Sequence, residues 1–107
     1  NKLIKKQPMV KHIVLFKLKK SISEEEKLNV MNAFKSAIEA LPAKISVIRK
    51  IEVGLNMNPE EAFDIALNSE FDSLEDVNFY AKHPDHVAAS GLLKDVKDSR
   101  ACVDYEF

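Results

Sequence analysis

Met9-Val10-Lys11-His12-Ile13-Val14-Leu15-Phe16-Lys17-Leu18 is the stretch on which the fold turns. Side chains alternate between faces along a strand, so Val10, His12, Val14, Phe16 and Leu18 share one side, while Ile13 and Leu15 make the other side apolar as well. A strand that is apolar on both sides belongs inside a sheet covered twice. The rest of the chain has to account for both covers.

Ser23-Glu24-Glu25-Glu26 follows and reads as a capping box at the start of a helix, with acidic side chains at the positive helix end. Leu28, Met31, Phe34, Ile38 and Leu41 recur at steps of three and four, and Pro42 marks the stop. Residues 45 to 55 alternate from Ile45 to Leu55 and predict a long second strand. Asn56-Met57-Asn58-Pro59 supplies a turn. Residues 62 to 72 alternate again, with Phe63, Ile65, Leu67, Ser69 and Phe71 on one side, and predict a third strand antiparallel to the second. Ser73-Leu74-Glu75-Asp76 repeats the capping pattern before a helix expected to present Leu74, Val77 and Ala81 on one face. Pro84 ends that helix and opens another at its first position, where a missing N–H is harmless. Ala89, Leu93 and Val96 form its stripe, and residues 101 to 107 alternate as a final strand.

The order β-α-β-β-α-β predicts an α+β, ferredoxin-like protomer with a four-stranded antiparallel sheet and helices on one face. Its own helices cover one side only. An apolar patch on the other side marks an interface, so the expectation is a two-fold homodimer through the sheet face.

With 107 residues the chain makes one domain at 9–107, large enough for a core without staples, after an extension at 1–8. Its 16 basic and 17 acidic residues are interspersed, which argues against nucleic acid or an anionic membrane as partner. No apolar run approaches the ~20 residues of a spanning helix. A cytoplasmic protein is the expectation unless residues 1–8 follow a removed targeting segment. Cys102, the single cysteine, is expected to be a small buried or half-buried side chain.

All three histidines fall in two places, His12 in the opening strand and His83 and His86 in Phe79-Tyr80-Ala81-Lys82-His83-Pro84-Asp85-His86-Val87. An imidazole titrates near neutrality and can take or return a proton, which makes His86 the first candidate for chemistry and Tyr80 its hydrogen-bonding companion. The alternative for each is structural: a half-buried histidine, a core-edge tyrosine, a turn histidine at His83 and a satisfied core histidine at His12. His83 and His86 with Asp85 lack a third and fourth metal ligand nearby, so no metal is expected. With only Gly54 and Gly91 there is no phosphate loop, and no G-x-S-x-G or Cys/His nucleophile pattern occurs, so no cofactor is expected.

Val10-Lys11-His12-Ile13-Val14-Leu15-Phe16-Lys17 together with Tyr80-Ala81-Lys82-His83-Pro84-Asp85-His86 resembles the stress-responsive dimeric α/β-barrel (Dabb) family over residues 9 to 107. The resemblance implies two ferredoxin-like protomers whose sheets pack face to face. A plant polyketide cyclase of that family uses a Tyr/His pair, and motif matching places the tyrosine on Tyr80 and the histidine on His86. It places the strand histidine of the pocket on His12, with His83 matching the other motif histidine. Val14 and Phe16, on His12's face, are expected to line the same pocket. Three readings stay open: a homodimer binding a small apolar or aromatic molecule, a cyclase-like lyase using Tyr80 and His86 as an acid–base pair, and a purely structural dimer with a filled core. A cavity at these residues separates the first two from the third.

Overall fold

The computed structural model describes residues 7–107. The expected extension at 1–8 lies outside the described residues except for Gln7 and Pro8, which are exposed. Strand β1 spans Val10–Leu18, and every second residue from Val10 to Leu18 is buried. It pairs antiparallel with β3 (Ile65–Phe71) on one side and with β4 (Lys97–Glu106) on the other. With β2 (Lys50–Leu55) the sheet order is β2-β3-β1-β4, the ferredoxin-like arrangement in which β1 is internal.

Helix α1 (Glu24–Glu39) starts where Ser23 accepts the Glu26 N–H at 3.1 Å. It buries Phe34 and Ile38, while Leu28, expected on the stripe, is exposed near the helix start. Helices α2 (Leu74–Lys82) and α3 (Pro84–Ser90) are separated at His83-Pro84 as expected. The inward face of α2 consists of Val77 and Tyr80; Leu74 and Ala81 are exposed. The three-residue step from Val77 carries the Tyr80 ring inward, where it packs 5.0 Å from Phe71.

Three strands differ from their expected bounds; β3, expected over 62–72, spans only Ile65–Phe71. Residues 45–49 form turns instead of extending β2, because Ile45 and Ile48 are both buried, three apart, with the Ile48 N–H donating to the Ile45 carbonyl at 3.3 Å. Alternation could not hold there, since a strand would have turned Ile48 away from Ile45. Strand β4 begins at Lys97, four residues early, and all ten of its residues are exposed. Cys102 is therefore exposed rather than buried. The paired positions place Arg100, Cys102 and Asp104 on the helix side of the sheet, opposite Phe16, Val14 and His12, and Ala101, Val103 and Tyr105 on the open side, opposite Leu15, Ile13 and Lys11.

Edge strand β2 is protected from stray pairing by α1. The Lys35 ammonium donates to the Val53 carbonyl at 2.6 Å, and Glu39 accepts the Val53 N–H at 3.0 Å while pairing with Lys35 at 2.9 Å. These side chains satisfy both backbone groups of Val53. The Val53 N–H, then Lys35, hold the Glu39 carboxyl below its usual value near 4.5, against a smaller opposing effect of burial. A carboxyl depressed in the folded state adds stability above its unfolded value and loses it as pH falls through its folded value. In urea titrations Glu39→Gln is expected to flatten the fall of stability below about pH 4.5 and to leave the relative pH trend above pH 6 unchanged.

Candidate functional site

The break at His83-Pro84 builds the first part of the site. His83 is extended (φ −64°, ψ 134°), as the residue before proline must be, and it serves both as C-cap of α2 and as N-cap of α3. Its Nδ1 accepts the Asp85 N–H at 3.1 Å. In an unbroken helix that N–H would have gone to the Ala81 carbonyl. The freed carbonyl is taken instead by His86, whose Nδ1 lies 3.0 Å away. With Nδ1–H donating to Ala81, the basic lone pair of His86 resides on Nε2.

His86 lies against Tyr80, ring centroids 4.3 Å apart. Burial lowers the His86 pKa from its usual 6.5, partly opposed by the Ala81 hydrogen bond and reinforced by the charges of His12, Arg100 and His83. The imidazole is neutral at pH 7 and available as a base. Tyr80 is 1% exposed, and among the described residues its hydroxyl has no hydrogen-bond partner. Burial raises its pKa, with Arg100 acting weakly the other way, so the phenol keeps its proton and remains a donor.

From the sheet comes His12, buried on β1, its ring edge-on to Tyr80 at 6.1 Å and to Phe71 at 6.3 Å. Its Nδ1 is 2.5 Å from a carboxylate oxygen of Asp104, the residue directly opposite on β4. The Cys102 sulfur is 3.6 Å from the same nitrogen. Because sulfur and carboxylate share one ring nitrogen, they do not form a nucleophile–base–orienter relay, which needs the two nitrogens separately engaged. Burial raises the Cys102 thiol, chiefly, with Asp104 adding to it, which further disfavours a thiolate.

His12, Tyr80 and His86 meet at a cavity of about 110 Å³ between the helices and the sheet. They line it, with Val14, Phe16 and Phe34 among its apolar walls and Arg100 and Lys97 from β4. His83 is not among the lining residues; its imidazole holds the helix junction. As for metals, the His83/His86 pair does not gather ligands. Among the described residues the one group that does is His12, Cys102 and Asp104, with ligand atoms within 4.8 Å of one another. Within that group His12 and Asp104 are hydrogen-bonded directly to each other.

Asp104, Arg100, Cys102 and Lys97 were missed by sequence reasoning. They reach the site through the pairing of β4 with β1, a contact about ninety residues away in sequence, as the 92-residue separation of His12 and Asp104 shows. The signal that could have found them is the alternation Arg100, Cys102, Asp104, once β4 is set beside β1.

The fold and site define a ferredoxin-like protomer with a small, polar-ended cavity between its helices and its sheet. The chain belongs to the stress responsive A/B barrel domain family, whose model matches residues 10–107. It is 31% identical over 100 residues to an uncharacterised protein of Streptomyces coelicolor, covering 92% of this chain and all of that one. It is 26% identical over 96 residues to olivetolic acid cyclase of Cannabis sativa, covering 90% of this chain and 94% of the cyclase. Among solved structures, a dimeric ferredoxin-like protein of unknown function from Bacteroides fragilis is 74% identical and superposes with a TM-score of 0.92, covering 92% of this chain and 96% of that one. Among the described residues no helix is long and apolar enough to cross a membrane.

A buried hydroxyl without a partner costs about 1–3 kcal/mol. Tyr80→Phe is therefore expected to leave stability unchanged or raise it by up to that amount in chemical denaturation; a loss of more than about 1 kcal/mol would show that the hydroxyl is already paired within the fold. By NMR, His86 should titrate below 6.5, its usual value. Between the two values the unfolded chain binds more protons, so His86's contribution to stability falls as pH drops through that window.

Proposed function

We propose that this chain is a homodimeric small-molecule-binding protein, its cavity taking a compact apolar or aromatic molecule that offers an oxygen to the Tyr80 hydroxyl. The observation that carries the reading is the cavity itself, lined by Tyr80, whose buried hydroxyl has no hydrogen-bond partner among the described residues. Buried polar groups in folded proteins are paired, and an exception at a cavity is best explained by a partner that arrives from outside. A filled core at this position, as a purely structural dimer would have, is disfavoured by the same cavity. An engineered 150 Å³ apolar cavity accommodates benzene, and this cavity, smaller at about 110 Å³, suits at most one ring or a short branched chain.

Homodimerisation is supported by the open side of the sheet, where Ile13, Leu15, Ala66 and Val103 share one surface. Val103 and Tyr105 there are 54% and 46% exposed in the single chain. A second copy applied to the same face would cover both sets at once. The dimeric Bacteroides fragilis protein, three-quarters identical to this chain, points the same way.

Catalysis is the second reading, favoured by the neutral His86 beside Tyr80 and by the likeness to a cyclase. His86 Nε2 would take a proton from carbon next to a carbonyl. The C–H electron pair would move to form the enolate, whose oxygen accepts a hydrogen bond from Tyr80. Return of the proton from His86 to carbon or oxygen closes the cycle without a cofactor.

Native mass spectrometry of the protein drawn from cell extract should reveal a retained compound below about 200 Da, consistent with the cavity's size. Binding of that compound should weaken about tenfold in Tyr80→Phe. If the compound is turned over, His86→Ala should slow the reaction by about 100-fold or more. Unchanged binding in Tyr80→Phe contradicts the binding reading, and unchanged turnover in both variants contradicts the catalytic one.

A further inference from the structure

The cavity carries a second asymmetry, in charge. Its lining includes two cations, Arg100 and Lys97, and no carboxylate. Among the described residues neither cation has an acidic partner within ion-pairing distance, as is true of most lysines here, and Arg100 stands within reach of the Cys102 sulfur. Asp104, on the same face of β4, is engaged by His12, and neither it nor Asp98 or Glu106 is part of the lining. The two cations stand at the β4 end, and the apolar walls are set by Val14, Phe16, Phe34, Ile38 and Leu67.

We infer that the ligand is a small organic acid, its carboxylate held by Arg100 and Lys97 at the β4 end and its apolar or aromatic body set among Phe16, Phe34 and Leu67. The inference rests on the small-molecule reading above and names the class of molecule. A guanidinium presents a planar fork of N–H donors that matches a carboxylate's two oxygens, and the ammonium adds a second charge. Two features beside the same cavity thus ask for oxygen acceptors: the buried Tyr80 hydroxyl, which has no partner among the described residues, and the Arg100 guanidinium, which has no acidic partner among them. Arg100 also stands near enough to bias both Tyr80 and His86 electrostatically, so a bound carboxylate would sit within the same small volume as the acid–base pair. Lys97 and Arg100 come from the strand that also supplies Asp104, and this one edge strand sets the polar end of the cavity.

The test uses acid and amide pairs of nearly equal shape: benzoate with benzamide, and crotonate with crotonamide, titrated into the full-length protein by calorimetry at low salt. At least one acid is expected to bind about tenfold or more tightly than its amide. Arg100→Leu should abolish that margin while leaving amide binding in place, Arg100→Lys should retain part of it, and Lys97→Ala should reduce it. Circular dichroism checks that the variants stay folded, which their exposed positions favour. Equal binding of acid and amide, or a margin that survives in Arg100→Leu, overturns this inference and leaves the small-molecule reading intact. Binding of neither acid nor amide at millimolar concentration overturns both.

Discussion

Everything in this protomer depends on β1 having to be covered on both faces. Its helix side is covered by Phe34 and the Tyr80 ring, with Val14 and Phe16 at the centre and Phe71 beside them on β3. Its other side keeps Ile13 and Leu15 half-buried with no layer of the described residues above them. Burying apolar surface gives about 25 cal/mol per Å², so a sheet face left open is a standing drive toward association. The helix side pays for folding; the open side calls for a second copy.

On the helix-covered side, a local irregularity brings His86 against Tyr80. Proline at 84 removes one helical hydrogen bond, His83 takes over one of the stranded partners, and the Ala81 carbonyl it leaves free turns the His86 ring toward Tyr80. The neutral imidazole and the protonated phenol then follow from the same burial, which disfavours the charged form of each. His12 enters from the sheet, fixed by Asp104 on the neighbouring strand. The site joins a break in one helix layer to one register of strand pairing, and neither part suffices alone.

What was legible in the sequence was what is local. The two-sided pattern of β1, the caps at Ser23 and Ser73 and the break at His83-Pro84 each depend on residues a few positions apart, and the structure has them all. The failures are of two kinds. Ile45 and Ile48 both needed burial and alternation could not provide it, so turns replaced the first half of the expected strand. Cys102, Asp104 and Arg100 acquire their surroundings from β1, and a strand read alone does not say which neighbour it will have. Of the site, the motif residues Tyr80 and His86 and the strand residue His12 could be named from sequence, while the charged end of the cavity could not.

The division of labour between the two faces of β1 can be tested directly by sedimentation velocity on the protein and on Leu15→Asp, a charge set at the centre of the open side. The wild type is expected to sediment as a dimer at micromolar concentration. Leu15→Asp is expected to sediment as a monomer that keeps its helical circular dichroism, since Leu15 faces away from the helix-side core. A wild-type monomer, or a variant that still dimerises, would contradict the account.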